Sequence, residues 1–161
     1  MTAENVFSIA NTAALVTWIL LAALPGRRWV SDVTVRMAAV MFASAYAVIV
    51  ATRWAGSSGG FSSLAAVAEL FTDPWLLLAG WLHYLAFDLL VGWWETRDAS
   101  ARGIPHVLVI PCLALTFLFG PAGWLSYVAI AAFQDRRRKT FVAQPSAEVF
   151  VLGLVLALTM A

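Results

Sequence analysis

A histidine and an aspartate stand inside an otherwise apolar run, GWLHYLAFDLLVG, at residues 80–92. Ionisable side chains are costly to keep at membrane depth, so His83 and Asp88 are candidate catalytic residues, a base and an acid available away from water. At about 100° per residue on a helix, Asp88 and Glu95 fall within about 20° of each other, on a stripe with Trp81 and Tyr84, while His83 is turned about 140° from Asp88. A dyad needs its atoms within ~2.6–3.2 Å, so this spacing points to two separate roles unless other helices wrap both sides. Asp88 would hold a proton or pair with a cation such as Arg36. A purely structural account remains open, in which Asp88 and His83 only bond to Asn11, Thr12 or Tyr46 on neighbouring helices.

A second cluster follows. Glu95, Asp98 and His106 flank a short loop, and folding that loop back would gather two carboxylates and an imidazole, a donor set suited to a divalent metal. The spacing is not diagnostic, because charges paired with Arg97 and Arg102 account for the same residues without a metal. The acid–base chemistry of His83 and Asp88 calls for no cofactor.

These groups need elements to hold them. A hydrocarbon core of ~30 Å takes roughly 20 apolar residues in a helix. Runs at 6–24, 33–50 and 75–94 meet that length, the third opened by Asp73-Pro74, an N-cap acceptor followed by the residue best tolerated at the first helical position. Residues 106–133 are nearly all apolar but are interrupted by Gly120-Pro121-Ala122-Gly123. This stretch fits one tilted helix with a break or a re-entrant pair of half-helices; at ~1.5 Å per residue neither half spans alone. The expected architecture is an all-α integral membrane protein, a single domain over 1–161 forming a four-helix transmembrane bundle with a Gly-Pro break in the fourth helix. The tail, 147–161, is short for a span and fits a short fifth helix or a half-inserted segment. Between the second and third spans, FSSLAAVAELF (61–71) has the pattern of a helix lying along the interface.

Composition agrees. Of 161 residues, 62% are apolar and 12% charged, about half the charged share of a soluble domain. A net charge of +1 offers no basic surface for nucleic acid, and the single Cys112 permits no internal disulfide. No Lys or Arg precedes the first apolar run, so that run reads as a true helix rather than a cleaved signal. The Lys/Arg distribution is five against five if 106–133 crosses once, and nine against one if it is re-entrant; cytoplasmic loops carry the excess. Trp29, Trp54, Trp75, Trp93 and Trp94 mark span ends, whereas Trp18, Trp81 and Trp124 lie inside and could pack as core or wall a cavity.

The run at 80–92, with Asp98, Ile104-Pro105-His106, Pro111-Cys112 and FLFGPAG (117–123), resembles the abscisic-acid-deficient, or neoxanthin-synthase-like, family of small membrane proteins. Asn11, Trp18 and Pro25 fit the same pattern. The resemblance covers roughly residues 5–135 and leaves out the apolar tail. It implies a four-helix membrane bundle, with His83, Asp88, Asp98 and His106 at the motif positions. The plant member is implicated in converting violaxanthin to neoxanthin, an intramolecular opening of an epoxide to an allene. The expected function is therefore a carotenoid or isoprenoid-lipid isomerase or cyclase in the bacterial cytoplasmic membrane, taking a hydrophobic polyene from the bilayer. Trp81, Tyr84, Phe87, Trp124 and Asn11 are the expected substrate contacts, with aromatic faces stabilising developing positive charge. A non-catalytic carotenoid-binding scaffold and a small proton-coupled transporter are the alternatives. Four short helices enclose little volume, so a homo-oligomer is a further expectation for a carrier.

Overall fold

A computed structural model describes residues 1–24 and 26–143. Within them the chain forms α1 (Ala3–Ala23), α2 (Arg28–Arg53) followed by a 3-10 turn (Trp54–Gly56), α3 (Leu64–Leu70), α4 (Pro74–Arg102), α5 (His106–Phe119) and α6 (Pro121–Ala143). No strand occurs among the described residues. Three helices, α1, α2 and α4, are long and apolar enough to cross a membrane. The tail at 147–161 lies outside the described residues.

Local chemistry accounts for the helix starts. Thr2 caps α1 by accepting from the Asn5 amide at 3.3 Å, and Ser63 caps α3 by accepting from the Ala66 amide at 3.1 Å. At α4, Asp73 Oδ1 accepts from the amides of Trp75 and Leu76 at 2.7 and 3.4 Å, with Pro74 at the first helical position. Once started, α4 runs eight residues past the span end expected at 94, through the polar segment ETRDASAR. α1, α2 and α5 pack around it, burying Trp18, Leu21, Val35, Phe42, Leu82, Leu89 and Leu113. The short α3 presents Leu64, Ala65 and Ala68 outward, as an interfacial helix would.

The fourth crossing is where the structure departs from the expected bundle. α5 descends along α4 until the Tyr84 hydroxyl donates to the carbonyl of Phe117 at 2.9 Å. α6 then returns, since the Tyr127 hydroxyl donates to Asp98 and Arg102 to Asp135, each at 2.6 Å. Residues 106–133 are thus a helical hairpin that leaves by the end at which it entered, rather than one kinked span. The reason lies in two glycines. Gly120 takes φ +48°, which an L side chain rarely adopts, and Pro121 opens a new helix directly after it. Gly123 lets α6 seat on α5, because a Cβ there would run into the backbone nitrogen and hydroxyl of Thr116. The hairpin also resolves the charge count. Nine of the ten Lys/Arg residues fall at the end where α4 finishes, and Arg53 alone lies at the other.

Candidate functional site

The polar groups of the 84–102 stripe of α4 all face the hairpin. Tyr84 meets the Phe117 carbonyl and shares its helix face with Asp88, one turn further on. Asp88 sits beneath the hairpin turn, where a Cβ on Gly120 would lie 3.2 and 3.3 Å from its two oxygens. Its Oδ2 is buried and has no hydrogen-bond partner among the described residues. Glu95, 0% exposed, accepts from the Thr116 hydroxyl at 3.0 Å through Oε1, while Oε2 is buried and unpaired among the described residues. The indole nitrogen of Trp18 is likewise buried without a partner among them. Its ring fills the space over Gly92, where a Cβ would lie 2.5 Å from the Trp18 ring. Asp98, Tyr127, Arg102 and Asp135 close the stripe with hydrogen bonds and ion pairs of 2.6 Å.

A buried Glu95 and a half-buried Asp88, seven residues apart on one helix face and each with a buried oxygen unpaired among the described residues, are uncommon, because an unsatisfied polar atom in an apolar interior is expensive. They can give and take protons where water is scarce.

A large apolar groove approaches this stripe from the other end of the bundle. It occupies about 940 Å³ between α1 and α4 and is bordered by Phe7, Phe71, Leu77, Leu78, Trp81 and Tyr84. That volume is at the upper end of the usual range for small-molecule sites. Trp81 is fixed on its wall by donating to Asn11 Oδ1 at 2.7 Å and by ring contacts of 5.6 Å with Phe7 and 5.2 Å with Tyr84. Tyr84 therefore borders the groove and lies one helical turn from Asp88 on α4.

The family described as ABA DEFICIENT 4-like matches residues 5–127, more than half of the chain. The chain belongs to that family. No curated protein and no solved structure matches it. The matched region of the ABA DEFICIENT 4-like family runs from α1 through the hairpin turn to Tyr127. It takes in Tyr84, Asp88, Glu95 and Thr116, and leaves the basic segment 136–139 outside.

Of the residues expected to bind substrate, Trp81, Tyr84 and Asn11 are brought together. Phe87 (57% exposed) points away beside His83, and Trp124 (42% exposed) lies on the outer part of α6. His83 and Asp88 are not joined. His83 stacks with Tyr46 and Phe87, at 5.6 and 4.6 Å between ring centres, across α4 from the hairpin. The turn at Gly120 faces Asp88 rather than His83. Arg36 and Arg97 both lie over the ring of Trp93, and Arg97 pairs with Asp32 at 2.6 Å, so Arg36 is not the partner of Asp88. The expected metal ligands also diverge. His106 Nε2 meets the carbonyl of Ala22 at 2.8 Å, at the end of α1, Glu95 is held by Thr116, and Asp98 by Arg102 and Tyr127. Among the described residues no group of three His, Cys, Asp or Glu side chains is placed to hold a metal. The sequence reading passed over Thr116, although it is the lone hydroxyl in HVLVIPCLALTFLF and its position was the available signal.

Proposed function

We propose that this member of the family is a membrane-embedded isomerase of a polyene or other isoprenoid lipid, working by acid–base chemistry at Tyr84 and Asp88. The observation that carries the reading is the groove bordered by Tyr84, one helical turn from Asp88, whose Oδ2 is buried with no hydrogen-bond partner among the described residues. A long apolar molecule enters sideways from the bilayer, lies along α1 and α4, and brings its reacting end to Tyr84.

For the opening of an epoxide to an allene, the steps balance without a redox partner. Asp88 gives a proton, through the Tyr84 hydroxyl, to the epoxide oxygen as its C–O bond breaks. The carboxylate so formed takes a proton, by the same hydroxyl, from the neighbouring chain carbon, and that C–H electron pair becomes the new double bond. The protein ends in its starting protonation state. Trp81 and Phe7 line the path of the developing cation with their ring faces, and the apolar walls keep water from capturing it. Glu95 remains a fully buried carboxyl seven residues along α4 from Asp88.

The test is to solubilise the protein from a polyene-producing host, identify the lipophilic molecules that copurify, and compare wild type with Asp88→Asn and His83→Ala. The expected outcome is that Asp88→Asn retains bound polyene and forms no product. Unchanged product formation in Asp88→Asn would leave a binding scaffold as the function of the same groove.

A further inference from the structure

The nine Lys/Arg residues at the end where α4 finishes share it, among the described residues, with four acidic ones, Asp32, Glu95, Asp98 and Asp135, which leaves a surplus of about five positive charges. Glu95 is buried in the bundle, and the other three are already in ion pairs, Asp32 with Arg97 and both Asp98 and Asp135 with Arg102. The densest part of the surplus is Arg136-Arg137-Arg138-Lys139 on α6, beyond the residues that match the family.

α6 stays helical past Asp135, where it meets Arg102, as far as Ala143. At about 100° per residue, four successive positions cover about 300° of the circumference within ~4.5 Å of the axis. This is a collar rather than a stripe. A helix that rested one face on a partner would keep its cations to one side, whereas a collar suits a helix passing upright through a layer of negative charge. One turn deeper, Phe133 is 57% exposed, and the Arg137 guanidinium lies 4.6 Å from its ring centre. An apolar ring at the acyl chains with a cation raised above it is the arrangement of a side chain that snorkels to the phosphates. Trp29, 72% exposed beside Arg27, marks the headgroup level at the start of α2.

The hairpin gives the collar a task. A full span is held at both faces of the bilayer, but α5 and α6 enter and leave by one end, so only that end can fix how deep the turn at Gly120 lies. That turn faces Asp88. We infer that residues 136–139 bind the phosphate headgroups of anionic phospholipids, and that these lipids hold the hairpin at its depth against α4. Guanidinium forks donate to the phosphate oxygens, and the net charge of the headgroup selects anionic over zwitterionic lipid. The inference does not depend on the reaction proposed at Tyr84 and Asp88.

The full chain in mild detergent is offered equal amounts of phosphatidylglycerol and phosphatidylcholine, the retained lipid is identified by mass, and the thermal midpoint is measured with each lipid alone. Wild type is expected to retain phosphatidylglycerol over phosphatidylcholine by at least roughly fivefold, the equivalent of a single basic side chain at an anionic surface, and to melt higher with it. Replacing Arg136, Arg137, Arg138 and Lys139 together by Gln is expected to remove both the preference and the rise, with the midpoint in phosphatidylcholine unchanged, which reports that the variant is folded. Arg137→Gln alone, a milder change, is expected to lower the preference severalfold. Equal retention of the two lipids by wild type, or a preference unchanged in the fourfold variant, overturns the inference. A rise in midpoint reproduced by inorganic phosphate without lipid also overturns it, since the site would then take the free anion.

Discussion

The two halves of α4 are built to opposite ends. From Trp75 to Tyr84 the helix is flanked by open space, with a groove on one side, a smaller cavity on the other, and aromatic rings touching rather than interlocking. From Asp88 to Arg102 the hairpin covers one face closely, and Glu95, Asp98 and Arg102 each find a partner on α5 or α6. The two unpaired carboxyl oxygens, on Asp88 and Glu95, belong to the covered half, and Asp88 is where it meets the open half. A site of this kind needs both: a region loose enough to admit a bulky apolar molecule, and a rigid one to hold an acidic group at a fixed place while it exchanges a proton.

Substitutions in the covered half should therefore cost stability, and those in the open half should cost binding with little loss of stability. The largest effect is expected at Gly123, where any side chain collides with Thr116. Gly123→Val should destabilise the protein by about 3 kcal/mol or more, as overpacking at a backbone contact does, seen as a large fall in the thermal midpoint in detergent. Thr116→Val should cost about 1–2 kcal/mol, because it removes the one hydrogen bond to a fully buried Glu95; Thr116→Ser should restore most of it. Trp81→Phe, in the open half, loses only the bond to Asn11, and should lower stability by about 0.6 kcal/mol while weakening retention of the copurifying lipid severalfold. A Trp81→Phe protein as unstable as Gly123→Val would erase the distinction between the halves. A Thr116→Val protein of wild-type stability would show that the covered half does not depend on its polar stripe.

Much of this was legible in the sequence. The three long spans follow from counting apolar residues, and the start of α4 from Asp73-Pro74, because both are local effects of burial and capping. The helical angle placed Trp81, Tyr84, Asp88 and Glu95 on one stripe and turned His83 away, and the structure keeps that separation. The metal reading of Glu95, Asp98 and His106 relied on proximity across a loop. What it lacked was the direction of each side chain: His106 turns to the end of α1, whereas Glu95 turns inward to Thr116. Expecting Phe87 and Trp124 beside Trp81 had the same weakness, since residue type gives an affinity for apolar surroundings but not which helix faces them.

The sequence by itself determined that the chain is built of lipid-compatible helices, where they start, and which of their residues share a face, because hydropathy, capping and the 3.6-residue turn act within a few residues of chain. It also carried the family, through motifs concentrated between residues 80 and 123. Only the tertiary structure decided that residues 106–133 turn back at Gly120, that Glu95 is fully buried against Thr116, and that Tyr84 borders an open groove one helical turn from Asp88. A break of the GPAG kind is compatible with a kink or a reversal, and the choice falls to contacts between distant residues: Tyr84 with Phe117, Tyr127 with Asp98, and Arg102 with Asp135.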